Sequence, residues 1–242
     1  MEENAYLITG ATSGIGKSIS LALAKDNVRL FLIVRDIEKY NQVFAGYDNC
    51  TPVLLDLSEV TNIEATLKSQ IDCKLSGVVL AAGIEETFPI KLYSPAKLKN
   101  FFDINFFANF EILRIVTAKK YMHNNSSVVM LSSVMSVLGQ PGKTAYCATK
   151  SAIIGLVNSL SLELASRKIR VNAVSPGVVE TPMTDKLFSQ LDEKQIQNIK
   201  KMHPIGIGSV EDVTEVILFL LSSKSKWVTG QNLKIDGGYS IQ

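Results

Sequence analysis

The sequence predicts an α/β fold: a doubly wound parallel sheet of about seven strands with helices on both faces. Two observations carry this. Short apolar runs alternate with longer segments of helical periodicity from one end of the chain to the other, and strands buried on both faces read as continuous apolar runs. A glycine-rich turn, Thr9-Gly-Ala-Thr-Ser-Gly-Ile-Gly16, joins the first apolar run to the first helical segment. That is where such sheets present a helix N-terminus to an anion.

In chain order, residues 6–9 form the first strand and 15–25 an amphipathic helix. Strands follow at 29–34 (Arg-Leu-Phe-Leu-Ile-Val) and 52–55, the latter ending at Asp56. A helix spans 63–71, a strand 77–80, and a long helical region runs from about 96 to 122. The strand at 128–131 leads through a loop to a helix bearing Tyr146. Its apolar positions Ile153, Leu156, Val157, Leu160 and Leu164 recur at helical spacing. A strand at 171–174, a helix at 213–221 and a last strand at 233–235 complete the pattern. No linker or change of composition divides the chain, so residues 1–242 read as one domain. The longest interruption, 181–204, is the expected mobile lid.

The 242 residues are 46% hydrophobic with a net charge of +2, ample for one core and unlike a disordered chain. Both signs of charge are interspersed. The only dense basic stretch, 194–201, also holds glutamines and reads as a solvated helix face, so no nucleic-acid partner is expected. No apolar run is long enough to span a membrane. The start, Met1-Glu-Glu-Asn, lacks the positive flank and apolar core of a secretory leader. Cys50, Cys73 and Cys147 are odd in number and lack metal-ligand spacing. A reducing, cytoplasmic setting without a metal is therefore expected.

The chemistry is signalled by Tyr146-Cys-Ala-Thr-Lys150. On a helix, i and i+4 share a face, which brings phenol and ammonium together. A free tyrosine ionises near pH ~10, and a nearby cation lowers that value, making the phenol a usable general acid or base. Ser133, at the end of a buried strand, would bond the same carbonyl oxygen, with Ser132 as its competitor. In the glycine stretch, Gly10 permits the tight turn. Gly14 and Gly16 let backbone approach a pyrophosphate, beside Thr12, Ser13 and Ile15.

Together, residues 9–16, Ser133, Tyr146 and Lys150 resemble the short-chain dehydrogenase/reductase family over nearly the whole chain. Among its members, the chain looks most like the 3-oxoacyl-acyl-carrier-protein reductases and related carbonyl reductases. The resemblance implies a Rossmann-type fold and hydride transfer between a nicotinamide and a ketone or secondary alcohol. Tyr146 would be proton donor, Ser133 carbonyl-orienting group, and Lys150 both tuner of Tyr146 and ligand of the nicotinamide ribose. Asn105 matches a helix asparagine supporting proton resupply. Asp56-Leu57 resembles the adenine-contacting pair. Ala81-Ala82-Gly83 matches in part a turn near the ribose, with Leu80 and Ala81 where the family has asparagines. Pro176-Gly-Val-Val-Glu-Thr181 resembles the nicotinamide segment, in which backbone near Val179 and the Thr181 side chain hold the carboxamide.

NADP is the expected cofactor, NAD the second choice. The ribose-binding strand end carries Val34 where an NAD-preferring site has an acid, followed by Arg35, suited to a phosphate. Asp36 comes next and would face the ribose if the register shifted by two. The substrate is expected to be a small-molecule or acyl-thioester carbonyl compound. Leu92, Val134, Met135, Met183, Leu187 and Phe188 are candidates for an apolar pocket. Arg167 matches one of two arginines proposed to meet an acyl carrier; Asn124 stands at the other. The region 98–116 is apolar nearly all round, and with the family's pairing of such helices it implies a homotetramer or homodimer. The alternative is a non-catalytic dinucleotide sensor or scaffold of the same fold.

Overall fold

The computed structural model describes residues 4–26 and 28–241. Most of the N-terminal stretch read above (Met1 to Glu3) therefore lies outside the described residues. One sheet of seven strands, all parallel, organises the chain in the order β3-β2-β1-β4-β5-β6-β7. The strands are β1 (Ala5–Thr9), β2 (Arg29–Val34), β3 (Cys50–Leu54), β4 (Leu75–Leu80), β5 (Met122–Leu131), β6 (Arg170–Pro176) and β7 (Asn232–Ile235).

Both faces of the sheet are dry. Alternate residues of β2 point opposite ways: Phe31 and Ile33 into one core, Leu30, Leu32 and Val34 into the other. The first core is closed by α3 (Ile63–Gln70), α5 (Ala108–Val116) and α6 (Thr144–Glu163). The second is closed by α1 (Gly14–Lys25), α2 (Ile37–Phe44) and α9 (Val210–Leu221). Each fully buried Leu, Ile or Phe contributes ~1.5–3 kcal/mol by leaving water, so two such layers make the sheet the rigid part of the molecule.

Three sequence expectations need correcting. The helix α2 was absent from the strand-to-strand reading between 34 and 52. Its signals are Asp36, whose side chain accepts from the Lys39 N–H as N-cap, and Tyr40 with Phe44, one turn apart and both buried. The long helix of 96–122 is not one helix. It comprises α4 (Pro95–Phe102), a π-helical turn (Asp103–Phe107) and α5, which ends at Val116. Consequently β5 starts at Met122, well before the strand expected at 128–131. Finally, only part of the apolar surface of 98–116 faces outward: Phe101, Ile112, Leu113, Ile115 and Val116 are buried. The outward excess is smaller, namely Leu98, Phe107 and Phe110, with the last two 46% and 48% exposed.

The segment 181–204 contains α7 (Pro182–Phe188) and α8 (Glu193–Lys201). Lys194, Lys200 and Lys201 face solvent along α8 as anticipated. No helix among the described residues is long and apolar enough to cross a membrane, and the same residues hold no cluster of metal-ligating side chains.

Candidate active site

Strand order reverses between β1 and β4, whose outward crossovers leave a crevice at the carboxyl ends of the strands. A cleft of about 490 Å³ opens there. Every residue nominated above for the cofactor lines it: Gly10, Thr12, Ser13, Gly14, Ile15, Gly16, Arg35, Asp56, Leu57, Ala81, Ala82, Gly83, Tyr146, Lys150, Pro176, Val179 and Thr181.

The phosphate end is shaped by glycine. Gly10 has φ +71°, and a Cβ there would sit 3.0 Å from the Ala82 nitrogen; a Cβ on Gly16 would run into the Gly10 carbonyl. Ser13 is the N-cap of α1, yet its side chain makes no cap hydrogen bond, and no acid occupies the first turn. The positive end of α1 therefore faces the cleft without internal neutralisation, as an anion requires. The turn after β4 is held by Thr9, whose buried Oγ1 accepts from both the Ala81 and Ala82 N–H groups at 3.0 Å.

At the adenosine end, Val34 is buried, while Arg35 and Asp36 are exposed at the cleft rim. Asp36 accepts the Lys39 N–H through Oδ1 as the α2 cap. Asp56 sits lower than an ordinary carboxyl, chiefly because it accepts the Ser58 N–H, with Arg35 adding attraction. Lys39, one helical turn beyond Arg35, also lines the cleft. It escaped sequence reasoning because α2 did; the Asp36–Lys39 cap spacing was the available signal.

The inner end gathers the nominated catalytic groups. Ser133, Tyr146 and Lys150 line the cleft. The two serines separate cleanly: Ser132 Oγ donates to the Lys150 carbonyl at 2.9 Å, whereas the Ser133 hydroxyl stands beside the Tyr146 phenol. Lys150 is buried, and its ammonium donates to the Leu131 carbonyl at 2.8 Å. That ammonium lies 5.7 Å from the Tyr146 ring centre. The expected tuning is not what these groups produce by themselves. Burial raises the Tyr146 phenol, opposed by its Ser133 hydrogen bond, and Lys150 is itself brought down to about 8 by burial.

Asn105 lies behind the cleft, not in its lining. The π-helical turn presents it inward, where it is fully buried. Its Oδ1 accepts the Ile84 N–H at 2.8 Å, and its Nδ2 donates to the Ile84 carbonyl at 3.0 Å and to Thr149 Oγ1 at 3.2 Å. A Cβ at Gly83 would lie 3.1 Å from Asn105 Oδ1 and 3.4 Å from Lys150 Nζ. Glycine at 83 thus lets the β4 exit, the π turn and α6 meet. The same β4 exit loop is tied to the start of α6 by a buried Glu85–Lys143 ion pair.

The apolar pocket is composed differently from the expectation. Met183 lines the cleft, joined by Ile84, Ile104 and Leu131. Phe188 instead lines a separate depression with Asp185 and Lys200. Leu92, Val134, Met135 and Leu187 stand outside the cleft lining. Arg167 is also committed: it donates to the carbonyls of Thr117 and Met122 and to Asn124 Oδ1. The guanidinium therefore closes the turn between α5 and β5.

A model of the family described as enoyl-(acyl carrier protein) reductase matches residues 10–240. The 3-oxoacyl-acyl-carrier-protein reductase FabG of Thermotoga maritima is 34% identical over 250 aligned positions, covering 100% of this chain and 99% of that protein. The chain belongs to the short-chain dehydrogenase/reductase family. The FabG of Rickettsia bellii is 35% identical over 236 positions, covering 96% and 95%. Among solved structures, a short chain dehydrogenase family protein from Francisella tularensis superposes with a TM-score of 0.90 at 28% identity, covering 99% of this chain and all of that one. ElxO with NADP bound gives 0.87 at 25% identity, with both chains fully covered. As a family member this chain is an NAD(P)-dependent oxidoreductase acting on the carbonyl/CH–OH pair.

Proposed function

We propose that this short-chain dehydrogenase/reductase is an NADP(H)-dependent ketoreductase that interconverts a ketone and a secondary alcohol. The observation that carries the reading is the single cleft with Arg35 and Lys39 at one end and Ser133, Tyr146 and Lys150 at the other. Two exposed cations at the adenosine end, with Asp36 and Asp56 each accepting a backbone N–H, suit a ribose phosphate. NADP in the ElxO neighbour is consistent with this.

The bound nicotinamide supplies or accepts the hydride. Tyr146 gives its proton to the forming alkoxide. Its phenol, held high by burial, is fully protonated at neutral pH and so suits the acid role. Ser133 directs a hydroxyl at the same oxygen. Two hydroxyls converging on one point suit a C=O group better than a C=C bond, which favours the ketone chemistry of the FabG relatives over enoyl reduction. Lys150 meets the ribose and the phenol together. Asn105, bonded to Ile84 and Thr149, fixes the wall against which Lys150 rests.

A small free ketone has more support than a carrier-bound acyl group. Arg167 is engaged internally by Thr117, Met122 and Asn124, which leaves little for an acidic carrier. The exposed Phe107 of the π turn and Phe110 of α5, with Leu162 on α6, support pairing of these helices with a second copy, hence a homotetramer or homodimer. The cysteine usage supports a cytoplasmic setting. The test is to mix the protein with NADPH or NADH and a panel of ketones while following loss of nicotinamide absorbance. Turnover with NADPH exceeding that with NADH is expected; no turnover with any ketone would favour the sensor alternative.

A further inference from the structure

We propose that His203 is a positioning residue for this reaction: as a neutral imidazole it holds the backbone that faces the nicotinamide end of the cleft. His203 ends the lid segment, just after α8, and is buried at 3% exposure. Its two ring nitrogens have opposite jobs. Nδ1 lies 2.7 Å from the Ile199 carbonyl, which can only accept, so Nδ1 carries the proton. Nε2 accepts the Val178 N–H at 3.1 Å, so it carries none. The joint is built for this ring. It stacks on Tyr239 at 4.8 Å between centres, 8° from parallel. Gly177 leaves the room it needs; a Cβ there would lie 3.1 Å from Nε2.

The consequence falls on the next peptide. Val178 and Glu180 N–H groups are taken on one side, by His203 and by the Gly208 carbonyl at 2.8 Å. In extended chain, successive groups alternate in direction, so the intervening Val179 backbone is turned the other way, where its carbonyl accepts the Thr184 hydroxyl and its residue lines the cleft. His203 thereby sets where the segment Pro176-Gly-Val-Val179 presents its backbone, and ties that setting to the C-terminal end of the lid.

His203 acts this way only if the cleft takes NADPH as proposed above. The test compares His203→Gln, whose amide oxygen reproduces the Nε2 acceptor, with His203→Asn, whose amide nitrogen reproduces only the Nδ1 donor. NADPH affinity is read by fluorescence titration and Val178 amide exchange by NMR on the ligand-free protein. In the unaltered protein the Val178 amide should exchange slowly, and this needs no variant; rapid exchange overturns the inference. Gln should keep NADPH affinity within about threefold and preserve amide protection, while Asn weakens it by about tenfold, as loss of one hydrogen bond implies. Equal affinities for Gln and Asn overturn the role of His203. Absence of NADPH binding by the unaltered protein instead sinks the cofactor reading.

Discussion

The two ends of the cleft are built on different principles. At the inner end, Ser132, Asn105, Thr149 and Lys150 are buried and bonded to backbone or to one another. At the adenosine end, Arg35, Asp36 and Asp56 are exposed at a rim. Burial makes a hydrogen bond costly to leave unmade, so the inner groups have one arrangement. Exposure makes charges cheap to change and screened by salt. On the proposed reading, chemistry sits where the protein is dry and cofactor choice where it is wet. Perturbing each end should separate the two.

The largest effect is expected at the inner end. Tyr146→Phe keeps the ring but removes the proton donor. Turnover should fall by roughly two to four orders of magnitude, while NADPH affinity, measured by fluorescence, stays within about twofold. Ketone reduction within a few-fold of the unaltered enzyme would show that another group supplies the proton.

A second effect at this end follows from burial. The Lys150 ammonium is brought down to about 8, below its unfolded value, so it loses its proton as pH rises through that region. The Tyr146 phenol is displaced upward and stays protonated. Ketone reduction should therefore be level through neutral pH and fall above about 8, by up to about tenfold per unit. Lys150→Arg keeps its charge throughout. Its rate will be lower, but the break near 8 in the reduction profile should vanish. A break that persists at the same pH in the Arg variant belongs to a different group.

The same contrast decides what was legible in the sequence. β1, β2 and β4 were readable because they are buried on both faces and mainly apolar, whereas β7, Asn-Leu-Lys-Ile with Lys234 exposed, carries a weaker signal. Gly10, Gly14 and Gly16 were readable because only glycine permits that turn and approach. Tyr146 and Lys150 were readable from spacing, since a helix converts four residues into one face. What escaped was set by tertiary packing. The π turn at Asp103–Phe107 adds a residue to a helix whose apolar pattern gives no sign of it, and only the demand of Ile84 and Thr149 on Asn105 explains its place. The downward shift of Lys150 comes from its burial, and sequence spacing alone suggested the reverse tuning of Tyr146. His203 carried no signal in the sequence: Ile199 is one helical turn away, but Val178, whose N–H it accepts, becomes its neighbour only in the folded chain.

The smallest effects belong to the wet rim, and a paired substitution there tests whether cofactor choice rests on one cation. Arg35→Ala removes an exposed guanidinium next to the ribose position, with Lys39 one turn away still facing the cleft. A charge-assisted hydrogen bond is worth ~1.5–3 kcal/mol, so NADPH affinity should drop by roughly tenfold to a hundredfold while NADH affinity hardly moves. The drop should shrink as salt is added, because the site is open to solvent. Asp36→Ala probes the neighbouring residue. Its carboxylate accepts the Lys39 N–H at 3.0 Å as the cap of α2. Removing it should cost about 1 kcal/mol of stability in a denaturant titration and leave NADH affinity unchanged. A loss of NADH affinity with no loss of stability would mean that Asp36 serves the ribose rather than the helix, and Arg35 would then no longer decide which cofactor binds.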